Sequence, residues 1–280
     1  MESHQQVLAE PKAQGWQASL NLHFAATTNK TLLVKRDHIG PLAVQRPFYP
    51  EGGVCHVYVL HPPGGIVAGD CLSINVMAAA NSHALITTPA AGKFYRSGDG
   101  LQATQQVSLN LSANAALEWL PQETIIYEGA QLKSSVKVNL AVDARFIGWE
   151  ILSLGRPACA ENFDCGLADL SWQIFCEDRP LLLERLYLDA KAFSARWGLQ
   201  GYSAFGTLFA TPASAESFVA VQDLIGDTKG RGVTRIDNLL VCRALDIRSD
   251  RLRDFFEQAW AIIRSDTVQR KVCSPRIWAT

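Results

Sequence analysis

The sequence predicts a mainly β chain, a many-stranded β-solenoid or sandwich-like single domain with one or two α-helices near its C-terminus. Three observations carry this. Runs alternating apolar and polar residues recur at 72–78, 107–111, 136–142 and 170–176, and period two places one set of side chains on a core and the other toward solvent. Turn-forming clusters separate them at short intervals: PPGG at 62–65, SGDG at 97–100, EG at 128–129, EN at 161–162 and EDRP at 177–180. Helical spacing appears only in the last third. Many short strands with regular turns point to a sandwich, barrel or solenoid, and late helices to α segments laid on a β body.

In chain order, residues 1–12 read as a flexible tail, and strand signals dominate from Trp16. Residues 40–70, GPLAVQRPFYPEGGVCHVYVLHPPGGIVAGD, hold five of the twelve prolines and six of the twenty glycines around the apolar strand VCHVYVL. Proline fixes φ and glycine opens conformations closed to other residues, so the backbone sets the path of this segment. A weaker helix is expected over 214–225. The clearest one spans 249–264, with Leu252, Phe255, Phe256, Ala259, Ile262 and Ile263 at helical spacing. Ser249 or Asp250 is the expected N-cap, and Asp254 and Arg264 complement the macrodipole. We find no fixed-period repeat and no linker, so one domain over 1–280 is expected.

A chain of 280 residues buries enough surface to fold without a disulfide or metal staple. A formal net charge of −1 argues against a general nucleic-acid binder. The N-terminus lacks the basic and apolar regions of a signal peptide, and no apolar run approaches the ~18–20 residues that span a bilayer. A cytoplasmic protein with no membrane partner is expected. Seven irregularly spaced cysteines fit reduced thiols.

The motifs of familiar chemistries are missing. There is no G-x-x-x-x-G-K-[ST], G-x-G-x-x-G or G-x-S-x-G, and the plain reading of Gly64, Gly65 and Gly69 is a tight corner. All six histidines precede residue 84, but Cys55 and His56 are neighbours on a strand and point apart, and no C-x-x-C, H-x-H or H-E-x-x-H occurs, so spacing disfavours a permanent metal site. The acids are more suggestive. Asp70, Glu118, Glu150 and Glu184 each sit among apolar neighbours. The plain reading of any one is the outward position of a strand. Facing inward, a carboxylate needs arginine, a cation or water beside it. A hydrated interior lined by such acids passes a divalent cation only if its contacts are weak and replaceable.

The blocks GPLAVQRPFYPEG and CHVYVLHPPGG, TTPAAGKFYRS at 87–97, LEWLPQET at 117–124, ARFIGWE at 144–150, LGRP at 154–157, LLERL at 182–186 and PRIWAT at 275–280 together resemble the urease accessory proteins called UreD or UreH. The blocks keep their order over nearly the whole chain, and only 193–270 is thinly matched. Ala68 and Ala160 stand where that family usually has glycine. The resemblance implies a largely β fold with two helices and a non-enzymatic scaffold or chaperone for urease maturation. It implies docking on apo-urease, binding of UreF, recruitment of the GTPase UreG through UreF, and help with nickel insertion. It implies no permanently bound cofactor, transient nickel passage along an internal route, and leaves open homo-oligomers within the accessory complex. Asp70, Glu150 and Glu184 are the candidate route residues, with Ser97 ranked behind them. Arg46, Tyr49, Lys93, Tyr95, Arg96, Arg276 and Trp278 are candidate partner-binding residues. The alternatives are a β-solenoid hydrolase using a carboxylate pair and a purely structural interaction module.

Overall fold

A computed structural model describes residues 15–279; the tail expected over 1–12 lies outside them. The first half of the described chain contains strands β1 (Gln17–Ala26), β2 (Thr31–Ile39), β3 (Ala43–Val44), β4 (Cys55–Leu60), β5 (Cys71–Ala78), β6 (His83–Thr87), β7 (Gly92–Phe94), β8 (Ala103–Leu111), β9 (Ala116–Leu120), β10 (Thr124–Ile126), β11 (Gln131–Leu140) and β12 (Arg145–Leu154). After these come β13 (Leu167–Cys176), β14 (Arg179–Leu188), helix α1 (Ala190–Ser194), β15 (Ala204–Thr211), α2 (Ala215–Ile225), β16 (Arg231–Ile236), β17 (Leu239–Asp246) and α3 (Ser249–Thr267).

The strands form two sheets. One has the order β14-β13-β11-β8-β5-β1-β2, and the other β16-β17-β15-β12-β9-β6-β4-β3, with β10 and β7 attached beyond β12. From β4 to β13 the chain winds as a solenoid, visiting the two sheets alternately. Its turns stack in parallel, β1·β5·β8·β11·β13 on one side and β4·β6·β9·β12 on the other. The corresponding strands β5, β8, β11 and β13 start at unequal intervals, so the sequence shows no repeat although the fold is made of coils. Antiparallel β2 and β14 close the first sheet. The turn from β13 to β14 places Glu177 and Asp178 at φ 46° and 62°, the geometry of a two-residue hairpin loop. Pro180 sits on β14, a sheet edge, where its missing N–H is tolerated.

The alternation read from the sequence sets the layers. Leu72, Ile74, Val76 and Ala78 of β5 and Leu132, Val136, Val138 and Leu140 of β11 are buried between the sheets. The intervening residues face out, where Asn75 donates to Asn21 and Asn139 to Asn110 across stacked strands, the ladder of like side chains that parallel in-register strands allow. The second sheet is covered on its other face by α2 and α3. Val54, Leu85, Leu120, Ile147 and Trp149 pack there against Val221, Leu252, Phe256, Trp260 and Ile263. Its central strands are buried on both faces, so they read as continuous apolar runs.

The helices fall where expected, with α1 in addition. Ser214 caps α2, its hydroxyl accepting from the Ser217 N–H. The N-cap of α3 is Arg248, without a side-chain cap. Ser249 already lies inside the helix, and Asp250 is bound to the Arg248 guanidinium. The expectation of Ser249 or Asp250 as cap is corrected accordingly. Ala160 stands at φ 56° and ψ 28°, a left-handed conformation that glycine takes at lower cost; this is the position where the resemblance expected Gly. No described helix is long and apolar enough to cross a membrane.

Candidate functional site

Glu150 lies on β12 between Gly148 and Leu152, and Leu152 and Leu154 on the same strand face pack between the sheets. Its carboxyl therefore points into the inter-sheet space, where it lines a cavity of about 90 Å³ with Gln105, Gln122, Trp119 and Trp172. Among the described residues no arginine, lysine or histidine forms an ion pair with it. Burial pushes its pKa up to about 7 against the usual 4.5; the Trp172 indole moderates the rise and the nearby Glu184 charge adds to it. The rise makes this carboxyl easier to protonate than an ordinary one.

A second chamber of about 400 Å³ adjoins the first, sharing Val59, Ile74, Thr88, Gly92 and Gln105 as common wall. The PPGG corner, His61 and Lys93 line its outer part. His61 Nε2 is buried without a hydrogen-bond partner, and burial holds the imidazole pKa below its usual value against the pull of Asp70. The same burial favours the neutral imidazole, the form that can bind a divalent cation.

Glu184 approaches the same space from the first sheet. Leu182 and Leu186, its neighbours on that face of β14, pack on the inter-sheet core. It pairs with Arg243 of β17, across the gap between the sheets. Arg185, its sequence neighbour, points the other way and binds Asp169 through Nε and Nη2 at 2.8 and 2.9 Å, as strand geometry requires.

The other expected site residues are placed differently. Asp70 is buried, and its oxygens accept backbone N–H bonds, Oδ1 from Trp16 at 2.7 Å and Oδ2 from Val67 at 3.0 Å. It locks the turn before β5 and lines neither chamber. Ser97 bonds Asp99 in a surface loop, also outside both chambers. Arg46, Arg96 and Arg276 are exposed. Lys30 lies over the Tyr49 ring, and burial together with Cys55 pushes the Tyr49 phenol up to about 12. Tyr95 donates to the Gly64 carbonyl at 2.9 Å and so braces the PPGG corner. Trp278 is buried, sandwiched by Trp149 and Trp260, with its N–H given to Thr87 Oγ1 at 3.1 Å. Expected as a docking residue, it is a core residue, because an indole at the chain end fills the gap between α3 and β12.

Sequence reasoning missed the most elaborate polar cluster. Glu118 on β9 faces the helices, opposite to Glu150. Arg264 of α3 grips it in a fork, Nε to Oε2 at 2.9 Å and Nη2 to Oε1 at 2.9 Å. The same guanidinium holds Glu51 at 2.6 and 3.0 Å and donates to the Lys271 carbonyl. His83 adds 3.0 Å to Glu118, His56 adds 2.7 Å to Glu51, and Trp260 donates to Glu118 at 2.8 Å. Burial opposes the Glu118 charge, but the bonds from His83 and Arg264 outweigh it and bring the carboxyl down to about 2. The signal was available: Leu252, Phe256, Trp260 and Arg264 form one i,i+4 row, so Arg264 continues the buried stripe. This cluster ties the PFYPEGG loop to the C-terminal helix and pairs both of its carboxylates with Arg264, with His56 Nδ1 left without a partner, whereas Glu150 faces the cavity.

A surface cleft of about 940 Å³ surrounds the LGRP block at the end of β12. Its charges are paired among themselves, Arg156 with Glu161 and Arg248 with Asp250. Among the described residues no three His, Cys, Asp or Glu side chains gather as a metal site.

One test of the Glu150 environment is thermodynamic. A carboxyl whose pKa is raised on folding favours the folded state below its unfolded value near 4.5, and that contribution is lost as pH rises through about 7. Glu150→Gln does not titrate. The melting temperature of the variant, relative to wild type, is therefore expected to be higher at pH 8 than at pH 5; an equal gap at both pH values would contradict the buried, unpaired carboxyl.

Comparison with known proteins bears on all of this. A family model described as UreD urease accessory protein matches residues 17–279. A urease accessory protein UreD of Alkalilimnicola ehrlichii is 43% identical over 277 residues, covering 97% of this chain and 94% of the relative. UreD 2 of Brucella anthropi is 40% identical, covering 95% and 99%, and UreD of a Nostoc species 42% identical, covering 95% and 97%. The chain belongs to the UreD family of urease accessory proteins.

Proposed function

We propose that this chain is a cytoplasmic maturation factor that carries out no reaction of its own. It docks apo-urease, binds UreF and through it UreG, and assists nickel delivery by passing the ion between its two sheets. The observation that carries the reading is the Glu150 carboxyl facing a cavity that shares five lining residues with the neighbouring His61 chamber. Oxygen and imidazole groups met singly bind a divalent cation weakly enough to release it. Glu184 receives the ion on the far side. Asp70 acts by shaping the entrance, through the turn it locks and its field at His61. Arg46, Lys93, Arg96 and Arg276 offer cationic contacts to partners.

The hydrolase alternative has the carboxylate pair it needs, since Glu184 raises the pKa of Glu150. One observation weighs against it: Glu184 is already paired with Arg243.

The test is coexpression of urease with its accessory proteins and with this chain wild type, absent, Glu150→Gln or Glu184→Gln, followed by metal analysis of purified urease. Urease made without the chain is expected to be nickel-poor and inactive, and each variant to lower nickel occupancy at least several-fold while the accessory complex still forms. Full nickel loading without the chain would refute the maturation role. Full loading with both variants would refute the route and leave a purely structural module.

A further inference from the structure

We propose that Arg243 is a tethered counter-cation that gates the inter-sheet route, holding Glu184 until an incoming divalent ion displaces it. This rests on the conduit reading above.

The placement follows from register. Glu150 on β12 stands opposite Thr207 on β15, and Thr207 stands opposite Arg243 on β17. Directly opposed residues in adjacent strands share a face. That face is the inner one, because Phe205, Phe209, Val241 and Leu245 on either side of Thr207 and Arg243 pack on the inter-sheet core. Two strand spacings of about 4.8 Å put the backbones of Glu150 and Arg243 about 10 Å apart. In the facing sheet, Trp172 stands opposite Glu184. The Arg243–Glu184 pair crosses between the sheets, next to Glu150 and Trp172, which line the cavity of about 90 Å³.

Thr207 Oγ1 is buried without a hydrogen-bond partner, and the residue is only 3% exposed. A hydroxyl left so beside a buried carboxyl suits a transient guest such as a hydrated ion. Arg243 differs from the rest. Its side chain is 44% exposed, against 22% for Glu184, so it has room to swing outward without unpacking the core.

The chemistry gives the gate its purpose. Without a cation beside it, Glu184 together with Glu150 would form a two-carboxylate trap of the kind that retains divalent ions. A guanidinium on Glu184 competes for that carboxylate and places a positive charge ahead of the ion. It keeps the contact weak enough for release, which conduction demands. A lysine would carry the charge as a compact ammonium in place of the planar guanidinium, whose Nη2 reaches Glu184.

The experiment is equilibrium dialysis of Ni²⁺ alone against the full-length chain. Arg243→Gln is expected to tighten Ni²⁺ binding at least tenfold over wild type, and Arg243→Gln/Glu184→Gln to return it to within about threefold of wild type. Arg243→Lys is expected to fall between, about threefold tighter. Binding unchanged in Arg243→Gln, or tightening that persists in the double variant, would overturn the gate. If Arg243→Gln fails to fold, Arg243→Lys decides: tighter binding supports the gate and unchanged binding overturns it. Failure of the conduit itself reads differently, as normal nickel loading of coexpressed urease with both Glu150→Gln and Glu184→Gln.

Discussion

Arg264→Ala is expected to lower the unfolding free energy by about 3–5 kcal/mol, the cost of removing one partner from a buried ion pair. Two carboxylates, Glu118 and Glu51, would be left under α3 without their cation. Glu118 and the Arg264 side chain are completely inaccessible, so water cannot take over. For a chain of this size such a loss shifts the melting temperature by on the order of 10 °C. Arg264→Lys should recover only part of it, since one ammonium cannot fork to both acids. The pH dependence supplies a second signature. A carboxyl held at about 2 in the folded state and near 4.5 when unfolded contributes stability above pH 4.5, and that stability drains away as pH falls toward 2. In Arg264→Ala this acid limb should flatten. Calorimetry between pH 2 and 7 checks both; a variant that melts like wild type would show that the cluster contributes nothing net.

Asp70→Ala should cost about 3 kcal/mol, because it strips two backbone N–H groups of a charged acceptor, each such bond being worth roughly 1.5–3 kcal/mol. The donors, on Trp16 and Val67, hold the chain as it passes from the PPGG corner into β5. Asp70→Asn keeps one acceptor oxygen and turns an amide toward the other donor, so about half the loss is expected. The pair of variants separates two roles. If Asp70 acts through the turn, nickel loading of urease falls in proportion to lost stability, Asn retaining more than Ala. If it were a direct stop on the route, Asn would abolish loading while the protein melted nearly as wild type.

How much of this was legible in the residues follows from burial. Strands β5, β8, β11 and β13 have one wet face, and their alternation showed both the strand and its inward side. The central strands of the second sheet are dry on both faces, so LEWL and GWEIL read alike. Glu118 and Glu150 could not be told apart, although one faces helices and the other the cavity. Orientation there is decided by register against neighbours far away in sequence, which no local pattern contains. The coil was hidden for a similar reason: loops of unequal length between stacked strands erase the period. Arg264 is the opposite case. The i,i+4 row predicted its burial, and a macrodipole argument for a basic residue near a helix end drew attention away from it. Trp278 shows that an aromatic in a terminal motif is as readily a plug as a handle.

The distance of 146 residues along the chain between Glu118 and Arg264 has a consequence for biosynthesis. Solenoid turns can stack one after another as they emerge from the ribosome, each on its predecessor. The carboxylate on β9 can meet His83 as soon as β6 and β9 stack, but its guanidinium comes only with α3. A product cut short before residue 264 would leave Glu118 without that cation.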